Sequence, residues 1–183
     1  MRTLIFSLAI SALLISCNND KSKEPVKETT TTPQTTEQVA VPAVDSTAFA
    51  KKWLTDNIEQ FFSNFDKLEG DYSKICTKEY FNYKTDATNV EMGDDGMTKA
   101  KFEKKWPNRT TGLAGIGAGF MVSAQDFGKI KVTKCEFLNR TLTGGYFFGA
   151  VIEDIQFKLK YKREIVVVQN KGAFLIDDVL EYD

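Results

Sequence analysis

The sequence predicts an α+β domain, with N-terminal helices packed on a curved antiparallel sheet of about four strands. Three observations predict it. Apolar residues recur at helical spacing through the first half of residues 46–183. From Lys129 onward the apolar period changes to two, in runs separated by turns rich in Gly and Asn. Helices come first and strands follow, which is the α+β order.

The first helix spans Ala48 to Leu68. Phe49, Trp53, Leu54, Ile58, Phe61, Phe62 and Phe65 form one broad apolar stripe, Asp45 and Ser46 are candidate N-caps, and Gly70 is a C-terminal stop. Thr77 caps a second helix that runs to about Ala87, with Tyr80, Tyr83 and Ala87 on one side. A polar loop, Glu91 to Gly96, leads to a short third helix from Lys99 to Trp106. Pro107 ends it, because the residue before proline is biased away from helix.

The first strand covers Lys129 to Leu138. Its apolar parity flips between Val132 and Cys135, which predicts a bulge near Thr133-Lys134. Thr141 to Gly145 makes a turn. Tyr146 to Lys162 reads as one long, bent strand, with Ile155, Phe157, Leu159 and Tyr161 alternating with Gln156, Lys158, Lys160 and Lys162. Glu164 to Gln169 is the third strand. Asn170-Lys171-Gly172 is a hairpin signal, and Ala173 to Tyr182 returns as the fourth.

Three segments are expected along the chain. Residues 1–16 read as a lipoprotein signal peptide: Arg2 supplies the positive start, Leu4 to Ile15 is apolar, and Leu14-Ile15-Ser16-Cys17 resembles a bacterial lipobox. The apolar run falls short of the roughly 20 residues that a membrane-spanning helix needs. The likeness implies that Cys17 is diacylated and becomes the mature N-terminus, anchored by its acyl chains. Asn18 stands where inner-membrane retention usually places Asp, which favours an outer-membrane lipoprotein, periplasm-facing or at the cell surface. Residues 17–45, rich in Thr, Glu, Lys and Pro, read as a disordered tether with a reach of roughly 30 Å. Residues 46–183 are one domain, holding every phenylalanine but Phe6.

Composition narrows the chemistry. The formal net charge is −1, and loss of Arg2 with the signal makes it −2, so no basic excess drives binding to nucleic acid. The chain has no histidine. Ser-His-Asp triads, Cys-His pairs and HExxH zinc sites are therefore excluded, and acid–base work would fall to Asp, Glu, Tyr, Lys or Cys. Cys76 and Cys135 either bridge or stay as two buried thiols.

Four glycines, Gly112, Gly115, Gly117 and Gly119, suggest a phosphate cradle, but the surroundings do not. The third glycine of G-x-G-x-x-G would have to stand at Phe120, and a strand follows instead of a helix N-terminus. The run reads as a tightly packed connector. Glu91 to Gly96 lacks the full calcium-loop pattern. No metal or other cofactor is expected. Lys158, Lys160, Lys162 and Arg163 form a basic stripe, read as a solvated sheet face.

Phe120-Met121-Val122-Ser123-Ala124-Gln125-Asp126 ahead of the first strand, and Phe174-Leu175-Ile176-Asp177-Asp178-Val179 in the last, resemble the nuclear transport factor 2-like and SnoaL-like superfamily. That resemblance implies a cone-like fold in which a bent sheet encloses an apolar pocket. Trp53, Phe61, Phe148 and Phe157 would line it. Enzymatic members use a pocket Asp as base, often with a Tyr or a second carboxylate; Asp126 and Asp178 are the candidate carboxylates and Tyr161 the candidate Tyr, and otherwise each Asp is solvated or paired. Strand alternation would send Asp177 and Asp178 to opposite faces. The expected role is non-enzymatic: a membrane-anchored binding module for a protein partner or an apolar small molecule. The alternatives are an immunity protein against an envelope-delivered toxin, and a carboxylate-dependent isomerase or hydratase.

Overall fold

A computed structural model describes residues 46–93 and 96–182. The lipobox, Cys17, the tether and the candidate cap Asp45 lie outside the described residues, as do Asp94 and Asp95. Helices occupy the first part of the domain and pack against a four-stranded antiparallel sheet that is curved and open. The predicted class is the observed one.

α1 runs Ser46–Ser63, and its buried stripe is Ala50, Leu54, Ile58, Phe61 and Phe62. Complete burial of Leu54 and Ile58 stabilises the domain by about 2 kcal/mol each. The helix ends earlier than its apolar period suggests. Phe65 and Leu68 continue the stripe through a single 3₁₀ turn, and the chain reverses at Gly70 with φ +70°. Phe61 sits at the centre of an aromatic cluster, in edge contact with Phe62, Phe65, Tyr72 and Phe120.

α2 (Lys78–Thr88) starts where Thr77 predicts. The Thr77 hydroxyl accepts from the Tyr80 amide at 3.2 Å and donates to Asp177 Oδ1 at 2.9 Å, tying the helix cap to the last strand. α3 (Lys99–Lys105) is capped the same way by Thr98. Trp106 Nε1 then donates to Asp86 of α2 at 2.8 Å.

The strands follow in sequence order across the sheet: β1 (Ile130–Arg140), β2 (Tyr146–Asp154), β3 (Leu159–Asn170) and β4 (Ala173–Tyr182). The predicted bulge in β1 is present as a register shift between Val132 and Lys134. The β3–β4 turn has both central residues, Lys171 and Gly172, at positive φ, the geometry that two-residue hairpins favour.

One strand boundary differs from the sequence expectation. Tyr146 to Lys162 is not a single strand: the chain turns at residues 155–158, so Asp154 pairs with Leu159 and Ala150 with Arg163. Asp154, fully buried, drives the reversal. Its carboxylate accepts backbone N–H bonds from Gly128 at 2.7 Å, Gln156 at 2.9 Å and Phe157 at 3.0 Å. Lys158 completes the turn at φ +59°. Apolar alternation runs straight through this turn, which is why the sequence does not mark it.

Inward-facing side chains from β2 are Tyr146, Phe148, Ala150, Ile152 and Asp154, and from β3 Tyr161, Arg163, Ile165 and Val167. Arg163 is thus 1% exposed and leaves the predicted basic stripe. Each edge strand has one main-chain group tied to the helical layer. Glu59 of α1 accepts the Val132 amide at 3.0 Å on β1, and the Thr77 amide donates to the Ile176 carbonyl at 2.8 Å on β4.

Candidate functional site

Three charges are buried together between the helices and the sheet. Lys84 comes from α2, Arg163 from β3 and Glu181 from β4, and their side chains are at most 1% exposed. Lys84 Nζ lies 2.6 Å from Glu181 Oε1, and Arg163 Nη2 lies 3.6 Å from Glu181 Oε2. Charges withdrawn from water must be paired and hydrogen-bonded, and here most of the remaining donors go to main-chain oxygens. Lys84 Nζ donates to the carbonyls of Ala114 at 2.9 Å and Gly115 at 3.0 Å. Arg163 Nε donates to the Met121 carbonyl at 2.9 Å, Nη1 to the Lys162 and Tyr182 carbonyls, and Nη2 to Ser123 Oγ at 3.2 Å.

This cluster explains the glycine run. Residues 110–123 form a strap that crosses over the buried carboxylate, held by Lys84 and Arg163 and by the Gly117 amide on the Ala87 carbonyl. Gly115 has φ +60°, and a Cβ there would stand 2.2 Å from Glu181 Oε2. Met121, fully buried, takes φ +60° with its carbonyl on Arg163, a strained backbone that the clamp holds in place. An open cleft of about 710 Å³ runs along the strap, lined by Lys99, Gly112, Ile116, Ser123 and Tyr182 among others.

The sequence-predicted carboxylates do not converge. Asp126 is exposed, on an open cleft of about 490 Å³ between the end of α1 and residues 125–128. Asp178 lies 3.3 Å from Arg109 Nη1, and the same guanidinium donates to the Asp177 carbonyl and to Glu79 Oε1. Burial raises the Asp178 carboxyl above its usual value, with Arg109 acting in the opposite direction. Tyr161 is buried on the inner face, and Asp178 pairs with Val166, five residues further along β3. The expected split of Asp177 and Asp178 across the two faces also fails. A bulge between Val166 and Val167 leaves Asp177 without a cross-strand position and resets the parity, so that Val179 and Glu181 point inward.

Of the four residues expected to line an internal pocket, three are packing residues. Phe148 is fully buried against Phe137 and Tyr146, and Trp53 packs on Phe174. Phe61 belongs to the aromatic cluster and borders an open surface cleft of about 370 Å³. Phe157 is 50% exposed at the β2–β3 turn, because the chain reverses before reaching the core. Cys76 and Cys135 are separate, buried thiols.

The outer face of the sheet has a different character. Cross-strand rows place Lys134 beside Val151 and Lys162, and Glu136 beside Gly149 and Glu164. Lys134 pairs with Glu136 at 3.0 Å, and the Tyr182 hydroxyl donates to Glu164 at 2.8 Å. Between these charged rims lies a groove of about 390 Å³ with the outward-facing Gly149 and Val151 at its floor. The outward residues of β2, Phe147, Gly149 and Val151, keep part of their surface open.

The Lys84–Glu181–Arg163 cluster escaped sequence reasoning because its members are far apart in the chain. A usable signal existed in part. Arg163 and Glu181 each interrupt an inward apolar alternation, Tyr161-x-Arg163-x-Ile165 and Val179-x-Glu181. Comparison with models of known families, with curated proteins and with solved structures finds no match for this chain.

Proposed function

We propose that this chain is a membrane-anchored extracytoplasmic binding domain that recognises a protein partner across the outer face of its sheet. The observation that carries the reading is the contrast between the two faces. The inner face is filled by Leu54, Ile58, Tyr80, Phe102, Phe148, Ile152 and the clamped charges, where an apolar ligand would otherwise lodge. The outer face offers a groove with an apolar floor and rims of both charge signs. Such a surface suits a protein of mixed charge better than a nucleic acid or an apolar small molecule.

The anchor is part of the same proposal, and Leu14-Ile15-Ser16-Cys17 supports it. The likeness to the nuclear transport factor 2-like and SnoaL-like superfamily remains part of the proposal, on Phe120 to Asp126 and Phe174 to Val179.

The test places a photo-crosslinking residue at Val151 in the full chain, inside the cells that make it, with Lys104 on α3 as the control position. A discrete protein adduct from position 151 and none from 104 is expected. Reversing both rim lysines, Lys134→Glu with Lys162→Glu, should lower the adduct at least about tenfold without changing the far-ultraviolet CD spectrum. Absence of an adduct, together with an apolar molecule extracted from the purified chain, would overturn the reading. Incorporation of a palmitate analogue that disappears in Cys17→Ser tests the anchor separately.

A further inference from the structure

We propose that the β2–β3 turn is a membrane-inserting tip, which docks the domain on a bilayer bearing anionic headgroups. Three large apolar side chains stand in solvent within five residues: Ile155 at 45%, Phe157 at 50% and Leu159 at 46% exposure. Single exposed apolar residues are ordinary on protein surfaces, whereas a contiguous group marks an interaction site. Here the group sits at the extremity of the sheet.

The tip is held rigid by the three backbone N–H bonds that converge on Asp154, described above. The Ile155 amide adds a fourth tie, to the Lys129 carbonyl at 2.9 Å. Gln156 packs over Gly128, where a Cβ would come within 2.4 Å of its own. The apolar side chains are therefore displayed by a locked turn and cannot fold back onto the core without dismantling it. Such preorganisation lowers the ordering cost of insertion.

Charge placement selects the partner. Lys158 lies between Phe157 and Leu159, and Lys160 and Lys129 flank them, all three exposed. Nearby acids are largely engaged: Asp154 is buried on its amides, and Glu153 lies 3.6 Å from Lys160. Asp126 is the exposed acid of the adjoining segment. Apolar side chains interleaved with lysines match an interfacial position, with rings and aliphatics below the headgroups and ammonium groups snorkelling to phosphates. A protein groove would accept the apolar residues but has no general need for the flanking cations. The inference uses the turn and not the outer-face groove, so it stands independently of the proposed protein partner.

The experiment uses the full chain in a Cys17→Ser background, where the two remaining thiols are buried. Phe157→Cys carries an environment-sensitive fluorophore, and Lys104→Cys carries it in the control. With phosphatidylcholine vesicles containing phosphatidylglycerol, the label at 157 should rise several-fold in intensity, shift to the blue and be quenched by lipid-borne doxyl groups. The label at 104 should do none of these. In flotation, Phe157→Ser should lower partitioning about tenfold, and the triple serine variant of Ile155, Phe157 and Leu159 at least a hundredfold. Lys158→Glu with Lys160→Glu should weaken partitioning about fivefold or more on anionic vesicles and little on neutral ones. The proposal is overturned if the chain does not float with anionic vesicles, or floats with label 157 still water-exposed. It is equally overturned if that label is shielded by a co-purifying protein and never by lipid. Retained CD spectra for the serine variants exclude misfolding, and the label at 157 reports insertion without removing the turn.

Discussion

Replacing Gly115 by alanine tests the buried clamp directly. The backbone there has φ +60°, where an L-residue costs about 1–2 kcal/mol. The added methyl would also stand 2.2 Å from Glu181 Oε2, 2.5 Å from Glu181 Cδ and 2.7 Å from Lys84 Nζ, when real Cβ contacts keep beyond 3.0 Å. Relief requires either the strap to lift from Lys84 or the carboxylate to leave it. Breaking a buried ion pair costs about 3–5 kcal/mol, because one charge is left uncompensated. A loss of about 4 kcal/mol or more is expected, equivalent to a fall in melting temperature of roughly 10–15 °C for a domain of this size. The assay is urea unfolding followed by tryptophan fluorescence and CD. Two neighbours calibrate it. Gly117 has φ +71° and open space around it, so Gly117→Ala should cost about 1–2 kcal/mol from the backbone alone. Gly112 has neither constraint, so its alanine variant should lie within about 1 kcal/mol of the parent. The reasoning is refuted if Gly115→Ala and Gly117→Ala destabilise equally.

Other measurements probe the remaining elements. Burial opposes ionisation of Asp154, but its three N–H donors together outweigh that and hold the carboxyl below its usual value. Its contribution to stability is therefore full above the unfolded pKa of about 3.9 and is lost as pH falls through the lower folded value. Asp154→Asn should flatten that part of the acid-unfolding profile. Burial pushes both the Cys76 and Cys135 thiols up, so thiolate is scarce at pH 8. In Cys17→Ser, a chromogenic disulfide reagent should titrate neither thiol promptly in the folded chain and both in denaturant. Lys84→Met leaves Glu181 without its 2.6 Å partner and should cost about 3–5 kcal/mol. Adding Glu181→Leu should deepen that loss, because the buried Arg163 guanidinium then loses the carboxylate 3.6 Å away.

Local chemistry made much of the fold legible. Thr77 marked the start that α2 uses, Gly70 marked a chain reversal seven residues beyond the end of α1, and the parity flip after Val132 marked a bulge that exists. The β2–β3 turn was hidden because Asp154 supplies its hydrogen bonds from a side chain, while Ile155, Phe157 and Leu159 continue an apolar alternation into solvent. The candidate site was less legible for a different reason. Lys84, Arg163 and Glu181 meet only after two helices, a strap and four strands are in place, and no local period encodes that meeting. The bulge at Asp177 then reversed the inward parity on which any reading of the last strand depends.

The clamp has a consequence for how this chain can vary. Lys84 and Arg163 hold residues 110–123 chiefly through the carbonyls of Ala114, Gly115 and Met121, groups that every amino acid carries. Exposed side chains along the strap are thus largely interchangeable, apart from Gly115, where no side chain fits. Spacing has no such latitude. One residue gained or lost between Ala114 and Met121 would carry a carbonyl past its cation and leave two buried charges facing the wrong atoms. The exposed positions of the segment should therefore drift in composition while its length is kept.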